Sequence, residues 1–278
     1  MSVLFRRVFA GLLPLLVLST SASFAVEGRP VQIWLLAGQS NAIGWSDDVS
    51  GLPPELQQPQ PNVKIYTDTS GGWKDLGPGF GHPFGAEVTF GRDMAAALPK
   101  VDVRIVKANW LGSLYKDWRP PKAGGGSGGA MYTKFIRFVQ GALDSAPNAQ
   151  IAGMLFMQGE ADAYGPNGMK WSQAYENNLK LFINSLRKDL KSPNMAFVIG
   201  QITSSDAWVN HEIVRQAQSD VARTVPNTYM VVTDDLPLHD NMHYNTRGLM
   251  VLGNRFAKAA VRSLKAPAVN VRHTNVRK

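Results

Sequence analysis

The stretch VQIWLLAGQSNA, residues 31–42, passes from an apolar run into a glycine, a serine and an asparagine. A continuous apolar run is typical of a strand buried on both faces of a sheet. The glycine that follows suits a tight turn that presents the Ser40 hydroxyl beside a helix N-terminus, where backbone N–H groups can also stabilise an oxyanion. Taken alone, such a serine is more often a helix cap than a nucleophile.

Similar apolar runs recur along the chain and alternate with segments of helical periodicity. This alternation predicts an α/β fold, with a mostly parallel sheet and helices on both of its faces. Ligands of such sheets bind where loops leave the carboxyl ends of the strands, so those ends are the places to search for a site. The predicted strands are 31–37, 63–67, 103–108, 151–157, 196–201 and 229–233, and the predicted helices are 87–98, 132–145, 172–190, 211–223 and 246–264.

The first 25 residues are interpreted as a secretory signal peptide. Arg6 and Arg7 precede an apolar run over residues 8–18, and small residues follow at the usual cleavage spacing. The run is too short to cross a bilayer as a helix. We therefore expect an exported protein, periplasmic or extracellular, with no stable membrane anchor once the signal is cleaved.

The composition excludes several kinds of chemistry. The 278 residues include no cysteine, which excludes disulfides, thiolate metal sites and cysteine nucleophiles. The formal net charge is +8, and it becomes +6 without residues 1–25. No dense Lys/Arg stripe is present, so nucleic acid is not an expected partner, although the charge is compatible with acidic glycans. Residues 26–278 are expected to form one domain with a basic tail from about residue 265 and a surface loop over the glycine-rich residues 124–129.

A serine nucleophile needs a base, and the segment PLHDNMHY, residues 237–244, offers one between the last predicted strand and helix. The Asp240-x-x-His243 spacing lets the carboxylate reach the imidazole on a turn and fix its tautomer. The alternative is a loop histidine that caps the helix. His239 with Asp240 and His243 also mimics a zinc-protease motif, but that motif requires a helix and this segment is typical of a loop. No metal or other cofactor is expected.

Two further strand ends carry polar or glycine-rich turns. Gly112 follows the strand at 103–108, and the sequence QGEAD, residues 158–162, follows the strand at 151–157. A glycine N–H can approach a substrate closely, and a glutamine amide can donate to developing negative charge. In a parallel sheet these turns lie at the same edge as Ser40 and the histidine segment.

These blocks together resemble the SGNH hydrolase superfamily, and more narrowly its sialate O-acetylesterase and carbohydrate esterase family 6 branch. The blocks are GQSN at 38–41, QGEAD at 158–162 and Asp-x-x-His at 240–243, with similar stretches at 87–91 and 112–118. The resemblance implies a flavodoxin-like three-layer α/β/α fold. It also implies hydrolysis of acetyl esters on sugars, of sialate or xylan type.

Carried over residue by residue, the resemblance assigns roles within a Ser-His-Asp mechanism. It implies that Ser40 is the nucleophile, His243 the general base and acid, and Asp240 its orienting partner. The oxyanion hole would be formed by Ser40, Gly112 and Gln158. We expect contacts with the substrate from Gln39, Asn41, Glu160 and Trp118, although Glu160 and Asp162 are equally suited to ordering the pocket or capping a helix. The alternatives are another SGNH ester hydrolase, acting on lipid, aryl or peptidoglycan esters, or a non-catalytic glycan-binding protein of the same fold.

Overall fold

The computed structural model describes residues 28–46, 48–80, 82–121, 128–165 and 168–266. The described strands are β1 (Val31–Gly38), β2 (Trp45–Ser46), β3 (Gln60–Thr67), β4 (Lys74–Leu76), β5 (His82–Pro83), β6 (Asp102–Lys107), β7 (Gln150–Met157), β8 (Ala196–Gly200) and β9 (Thr228–Val231). The described α-helices are α1 (Ser40–Ile43), α2 (Glu87–Ala97), α3 (Ala130–Asp144), α4 (Glu160–Ala163), α5 (Gly168–Asp189), α6 (His211–Thr224) and α7 (Thr246–Lys265).

Seven strands form one sheet in the order β4-β3-β6-β1-β7-β8-β9. All neighbours are parallel except β3 and β4, which pair antiparallel. The prediction of a mostly parallel sheet is therefore confirmed. The short strand β4 was not predicted, because its sequence KDL lacks an apolar run. A separate pair is formed by β2 and β5.

Helices cover both faces of the sheet, which gives the three layers that the sequence predicts. Successive side chains of a strand point to opposite faces. Trp34 of β1 packs on Phe90 of α2 with ring centroids 5.7 Å apart, and its register partner in β7 is Gly153. Phe156, three residues further along β7, therefore points to the opposite face, where it packs on Phe182 of α5 at 4.9 Å.

Helices α2 and α7 cross closely, and α7 is the helix that follows the segment carrying the histidines. A Cβ built at Gly253 of α7 would lie 2.3 Å from the carbonyl oxygen of Ala86 and 2.1 Å from Oγ1 of Thr89. Only a glycine allows the helices to approach this closely. Helix α7, which directly follows the 237–244 segment, is therefore packed closely on α2.

The signal peptide predicted over residues 1–25 lies outside the described residues, as do residues 122–127 of the glycine-rich segment and the tail beyond residue 266. In the part of the chain that the structure describes, no helix is both long enough and apolar enough to cross a membrane.

Candidate active site

Ser40 is placed by a tight junction between the ends of β1 and β7. Gly38 has φ +151°, and a Cβ there would lie 1.8 Å from the carbonyl oxygen of Met157. The next backbone N–H, that of Gln39, donates to the same oxygen at 3.0 Å. The chain then enters α1, so Ser40 stands at a helix start directly after the strand.

The 237–244 segment holds Asp240 and His243 as a pair. Asp240 Oδ1 accepts the backbone N–H groups of Met242 and His243, each at 2.6 Å. Its Oδ2 lies 2.8 Å from His243 Nδ1. Burial raises the pKa of Asp240, but the hydrogen bonds from the His243 side chain and from the two backbone N–H groups outweigh that effect, and the pKa is below its ordinary value. An ionised carboxylate therefore orients the imidazole.

Asn41 ties the serine turn to the histidine segment. Its Nδ2 donates to Glu160 Oε1 at 3.1 Å and to the carbonyl oxygen of Met242 at 3.0 Å. Its Oδ1 accepts the backbone N–H of Tyr244 at 3.1 Å. Asn41 is 1% exposed, so its amide holds protein segments together. The expected contact between Asn41 and the substrate has no support in this arrangement, because the polar atoms of Asn41 are buried and already paired.

Asp162 orders the loop that carries Gly112. Its two carboxylate oxygens accept the backbone N–H groups of Leu114 at 2.7 Å and Tyr115 at 2.8 Å. Its Oδ2 also accepts from Gln158 Nε2 at 2.7 Å. Burial raises the pKa of Asp162 to about 6 against these hydrogen bonds. Of the two roles that the sequence left open for this residue, ordering the pocket is the one that the structure supports.

Segments that follow strands β1, β6, β7, β8 and β9 surround one cavity of about 470 Å³. Among the residues expected at the site, Ser40, Gly112, His243, Gln39 and Glu160 line it. The structure thus brings the expected nucleophile, base and one oxyanion donor to a single cavity at the carboxyl edge of the sheet.

Four of the expected site residues, Asn41, Asp240, Trp118 and Gln158, do not line this cavity. Trp118 is 0% exposed and packs among aromatic rings of the core, including Phe135 and Phe156. The expected contact between Trp118 and a sugar has no support in this arrangement, because the ring of Trp118 is fully buried. Gln158 is also 0% exposed, and its Nε2 donates to Gln39 Oε1 and to Asp162 Oδ2. Both N–H bonds of that amide are used within the protein, so Gln158 is unsuited to be the oxyanion donor.

The neighbouring glutamine, Gln39, has what Gln158 lacks, a side-chain NH₂ group that is not used in hydrogen bonds within the described part of the protein. Three donors converge on its Oε1: the backbone N–H groups of Gly159 at 3.4 Å and Ala161 at 3.1 Å, and Gln158 Nε2 at 3.3 Å. Backbone N–H groups only donate, so they identify this atom as the oxygen. The Gln39 Nε2 donates to no residue in the described part of the chain, and Gln39 lines the cavity beside Ser40.

Glu160 is a buried carboxyl at the cavity wall. It is 2% exposed, and burial raises its pKa although Asn41 and His243 act in the opposite direction. Its Oε1 accepts from Asn41, and its Oε2 has no hydrogen-bond partner among the described residues. The side chain faces the same cavity as His243.

The loop also brings His239 close to the Asp240–His243 pair. Its Nε2 lies 3.4 Å from Asp240 Oδ2, and its ring stacks on that of His243 with centroids 5.8 Å apart. The three residues offer ligand atoms within 4.8 Å of one another. They do so from a loop, as the sequence indicated, and not from a zinc-protease helix.

The cavity walls also contain residues that sequence reasoning missed. They are Leu111, Tyr164, Trp171, Trp208 and Met242, and Trp45 lies in the same walls. None of them belongs to a recognisable motif. Their positions in the sequence do not separate Trp45 and Trp171, which line the cavity, from the buried Trp118.

The mostly parallel sheet with helices on both faces is the fold of solved SGNH-type esterases, and Ser40 and His243 lie together at its carboxyl edge. The chain matches the family model described as carbohydrate esterase, sialic acid-specific acetylesterase, over residues 30–262. It belongs to that family and is therefore a carbohydrate acetylesterase.

Individual relatives agree with this assignment. A probable carbohydrate esterase from Arabidopsis thaliana is 25% identical over 256 residues, which is 83% of this chain and 90% of the relative. An X-ray structure of an Arabidopsis thaliana protein superposes with a TM-score of 0.69 at 21% identity, covering 84% of this chain and 98% of that one. A carbohydrate acetylesterase from Xanthomonas citri gives a TM-score of 0.64 at 19% identity, covering 83% of this chain and 55% of that one.

Proposed function

We propose that this acetylesterase cleaves acetyl groups from carbohydrates through a two-step acyl-enzyme mechanism that uses Ser40, His243 and Asp240. The observation that carries the proposal is the 2.8 Å contact between His243 Nδ1 and Asp240 Oδ2, made by a histidine that shares its cavity with Ser40. With Nδ1 held by the carboxylate, Nε2 is the nitrogen that remains for the serine proton.

In the first step, Ser40 Oγ attacks the acetyl carbonyl carbon and its proton passes to His243 Nε2. The bond from the carbonyl carbon to the sugar oxygen then breaks, and the sugar leaves as an alcohol with that proton. In the second step, water gives a proton to Nε2 and attacks the acetyl-serine, which releases acetate and restores Ser40. The imidazolium formed in each step is stabilised by the Asp240 carboxylate.

The negative charge on the carbonyl oxygen needs donors that are in place before the reaction. We assign this role to the backbone N–H groups of Ser40 and Gly112 and to Gln39 Nε2. None of these three groups donates a hydrogen bond to another residue in the described ranges. Gln39 replaces Gln158 in this role, because the amide of Gln158 is committed to Gln39 and Asp162.

We also propose that the enzyme works outside the cytoplasm, in the periplasm or the extracellular space. The support comes from the sequence: Arg6 and Arg7, the apolar run over residues 8–18, and the small residues before position 26 are typical of a cleaved secretory signal.

The test is hydrolysis of p-nitrophenyl acetate by the purified wild type and by Ser40→Ala, with acetate quantified. We expect the wild type to release acetate and Ser40→Ala to lose almost all turnover. Asp240→Asn should lower kcat by about 10²–10⁴, because the imidazole loses its tautomer and its countercharge.

Ser145→Ala is the matched control, since that hydroxyl lies by Trp73 and away from the cavity, and it should retain wild-type turnover. Full activity in Ser40→Ala would overturn the mechanism. Absence of acetate release by the wild type would instead favour the non-catalytic glycan-binding alternative.

A further inference from the structure

The 237–244 segment contains one more histidine than the proposed mechanism uses. His243 Nδ1 lies 2.8 Å from Asp240 Oδ2, and His239 Nε2 lies 3.4 Å from the same oxygen. The three residues offer ligand atoms that all lie within 4.8 Å of one another. The mechanism accounts for Asp240 and His243, and it leaves His239 without a role.

The backbone of the segment holds the two imidazoles side by side across a tight turn. The N–H of His239 donates to the carbonyl oxygen of His243 at 2.9 Å, and Leu238 and Tyr244 form an antiparallel bridge just outside this bond. The two rings stack with centroids 5.8 Å apart and an interplanar angle of 22°. Residues paired across such a turn have neighbouring side chains, so both rings reach one small ligand with little rearrangement.

The carboxylate of Asp240 is oriented towards these two rings. Its Oδ1 accepts the backbone N–H groups of Met242 and His243, each at 2.6 Å, which fixes the carboxylate plane. Its Oδ2 faces the two histidines, and no lysine or arginine forms an ion pair with this carboxylate in the described ranges. Two imidazole nitrogens and one carboxylate oxygen therefore form a compact set of donors.

This set of donors suits a transition-metal dication such as Zn²⁺. Zinc binds imidazole nitrogen and carboxylate oxygen at about 2.0–2.2 Å and often combines three protein ligands with a water in a tetrahedral shell. Ligand atoms of such a shell are about 3.4 Å apart, and His239 Nε2 and Asp240 Oδ2 already have this separation. The contact between His243 and Asp240 needs to open by only about 0.5 Å.

The site can be reached from solvent. The side chains of His239, Asp240 and His243 are 47%, 35% and 18% exposed. An ion can therefore enter without opening the fold and keep a water as its remaining ligand. A zinc protease places its two histidines one helical turn apart, whereas here the turn of the backbone brings them together.

We propose that His239, Asp240 and His243 form a site for a zinc-type transition-metal dication, and that an ion bound there inhibits the esterase. The ion takes His243 Nδ1 and Asp240 Oδ2, the two atoms whose contact orients the imidazole. A neutral imidazole bound to a metal through Nδ1 carries its proton on Nε2, and Nε2 is the atom that must accept the Ser40 proton. The inhibited enzyme therefore holds the wrong tautomer of its base.

The inhibition rests on the proposed function, since it acts through the proposed base, whereas binding of the ion does not. The ion is an inhibitor and not a cofactor, because the two-step mechanism is complete without it.

The first experiment titrates ZnCl₂ into tag-free enzyme that has been treated with EDTA and dialysed, with p-nitrophenyl acetate as substrate and an enzyme-free blank at each zinc concentration. We expect saturating zinc to lower turnover by about 10²-fold or more, because a wrong tautomer alone costs about 10⁴ in a Ser-His-Asp enzyme. EDTA should restore the rate. MgCl₂ should not inhibit, because Mg²⁺ prefers oxygen ligands. Turnover that is insensitive to zinc would overturn the inhibition.

The second experiment removes the ligand that the mechanism does not use. In His239→Gln, with each rate divided by the rate of the same variant without zinc, we expect the half-inhibiting zinc concentration to rise at least about tenfold. Even residues that only orient a metal ligand are worth about 10–100-fold in metal affinity. A half-inhibiting concentration equal to that of the wild type would overturn the assignment of His239.

His211→Gln is the matched control. His211 lies at the start of α6, where its ring hydrogen-bonds to Ser204 Oγ and to the carbonyl oxygen of Trp208. It is not among the three clustered residues, so its substitution should leave the half-inhibiting zinc concentration unchanged. Equal shifts in His211→Gln and His239→Gln would overturn the site.

Isothermal titration calorimetry with ZnCl₂ measures binding independently of the reaction. We expect the wild type to bind zinc at least about tenfold more tightly than His239→Gln does, for the same reason. Equal affinities would overturn the site. If the metal-free wild type hydrolyses no ester, the proposed function fails, and the calorimetry still decides whether the site exists. If zinc binds as expected but turnover is unchanged, only the inhibition is overturned.

Discussion

At the scale of single residues, the position of one amide distinguishes two glutamines of the site. Gln158 and Gln39 lie at neighbouring strand ends, and their side chains hydrogen-bond to each other. The backbone N–H groups of Gly159 and Ala161 fix Gln39 with its oxygen inward, which leaves its NH₂ group beside Ser40. Donor geometry, and not residue type, therefore decides which glutamine is suited to stabilise an oxyanion.

We predict that Gln39→Glu lowers kcat about 10²–10³-fold with little change in KM. The glutamate keeps an oxygen for the donors from Gly159 and Ala161 but replaces the NH₂ group with an acceptor, so the transition state loses one hydrogen bond. Steady-state kinetics on p-nitrophenyl acetate measures the effect, and the urea midpoint shows that the fold persists. Gln140→Ala on α3 is the control; wild-type kcat in Gln39→Glu would remove Gln39 from the oxyanion hole.

The sequence indicated which polar residues lie together at the site, but it did not indicate which residues form the cavity walls. Ser40, Asp240 and His243 could be placed together because each follows a strand of a parallel sheet. Trp118 could not be separated from Trp45, because both follow strand ends and burial depends on what the later helices cover. The choice between Gln39 and Gln158 depends on hydrogen bonds between segments about 120 residues apart, which no local pattern reports.

At the scale of secondary-structure elements, a buried ion pair supports the helix that carries the serine. Lys107, at the end of β6, is 0% exposed and lies 2.8 Å from Glu87 at the start of α2, whose side chain is equally buried. Lys107 Nζ also donates to the carbonyl oxygen of Ile43, the last residue of α1, at 2.7 Å. This pair therefore connects β6 and α2 to the C-terminal end of the four-residue helix that begins at Ser40.

We predict that Lys107→Met lowers the free energy of unfolding by about 3–5 kcal/mol, because it leaves the Glu87 carboxyl buried without its cation. Urea unfolding measures the change. Adding Glu87→Gln should recover part of the loss, because the uncompensated charge is then removed. Lys180→Met, which breaks the partly exposed pair with Glu176, should cost under about 1 kcal/mol. Equal stability of Lys107→Met and wild type would show that the pair is not needed.

The elements themselves could largely be predicted from the sequence. Every strand of the sheet with an apolar run was found, because burial on both faces requires such a run. Strand β4 was missed because an edge strand of three residues needs no apolar pattern. The helices α1 and α4 were missed because four residues are too few to show a period, and their position depends on the loops they pack against.

At the scale of the whole molecule, the ionisation of one buried carboxyl at the site, that of Asp162, makes the free energy of unfolding depend on pH. Asp162 has its pKa raised by burial from 3.8 to about 6. Between these two values the folded chain retains a proton that the unfolded chain has released. This contribution to stability is therefore present in full below about pH 4 and is lost as the pH rises towards 6.

We predict that the free energy of unfolding of the wild type, relative to Asp162→Asn, falls by about 2 kcal/mol between pH 4 and pH 6. The asparagine has no proton to release, so the comparison isolates this one group from the other carboxyls. Urea unfolding at pH 4, 5, 6 and 7 measures it, and the difference should level off near pH 7. A difference that stays constant across the series would show that Asp162 ionises alike in the folded and unfolded states.

The turn at Gly38 limits how far the amino-acid sequence of this enzyme can diverge. Any side chain at this position would collide with the carbonyl oxygen of Met157, because a Cβ would lie 1.8 Å from it. Only glycine therefore fits at position 38, although glycine has no side chain with which to contact a substrate. In a saturation library screened for acetate release, substitutions at position 38 should therefore be as damaging as substitutions of Ser40. At position 38 the loss of activity would result from the close approach of two strands, because Gly38 takes no part in the chemistry.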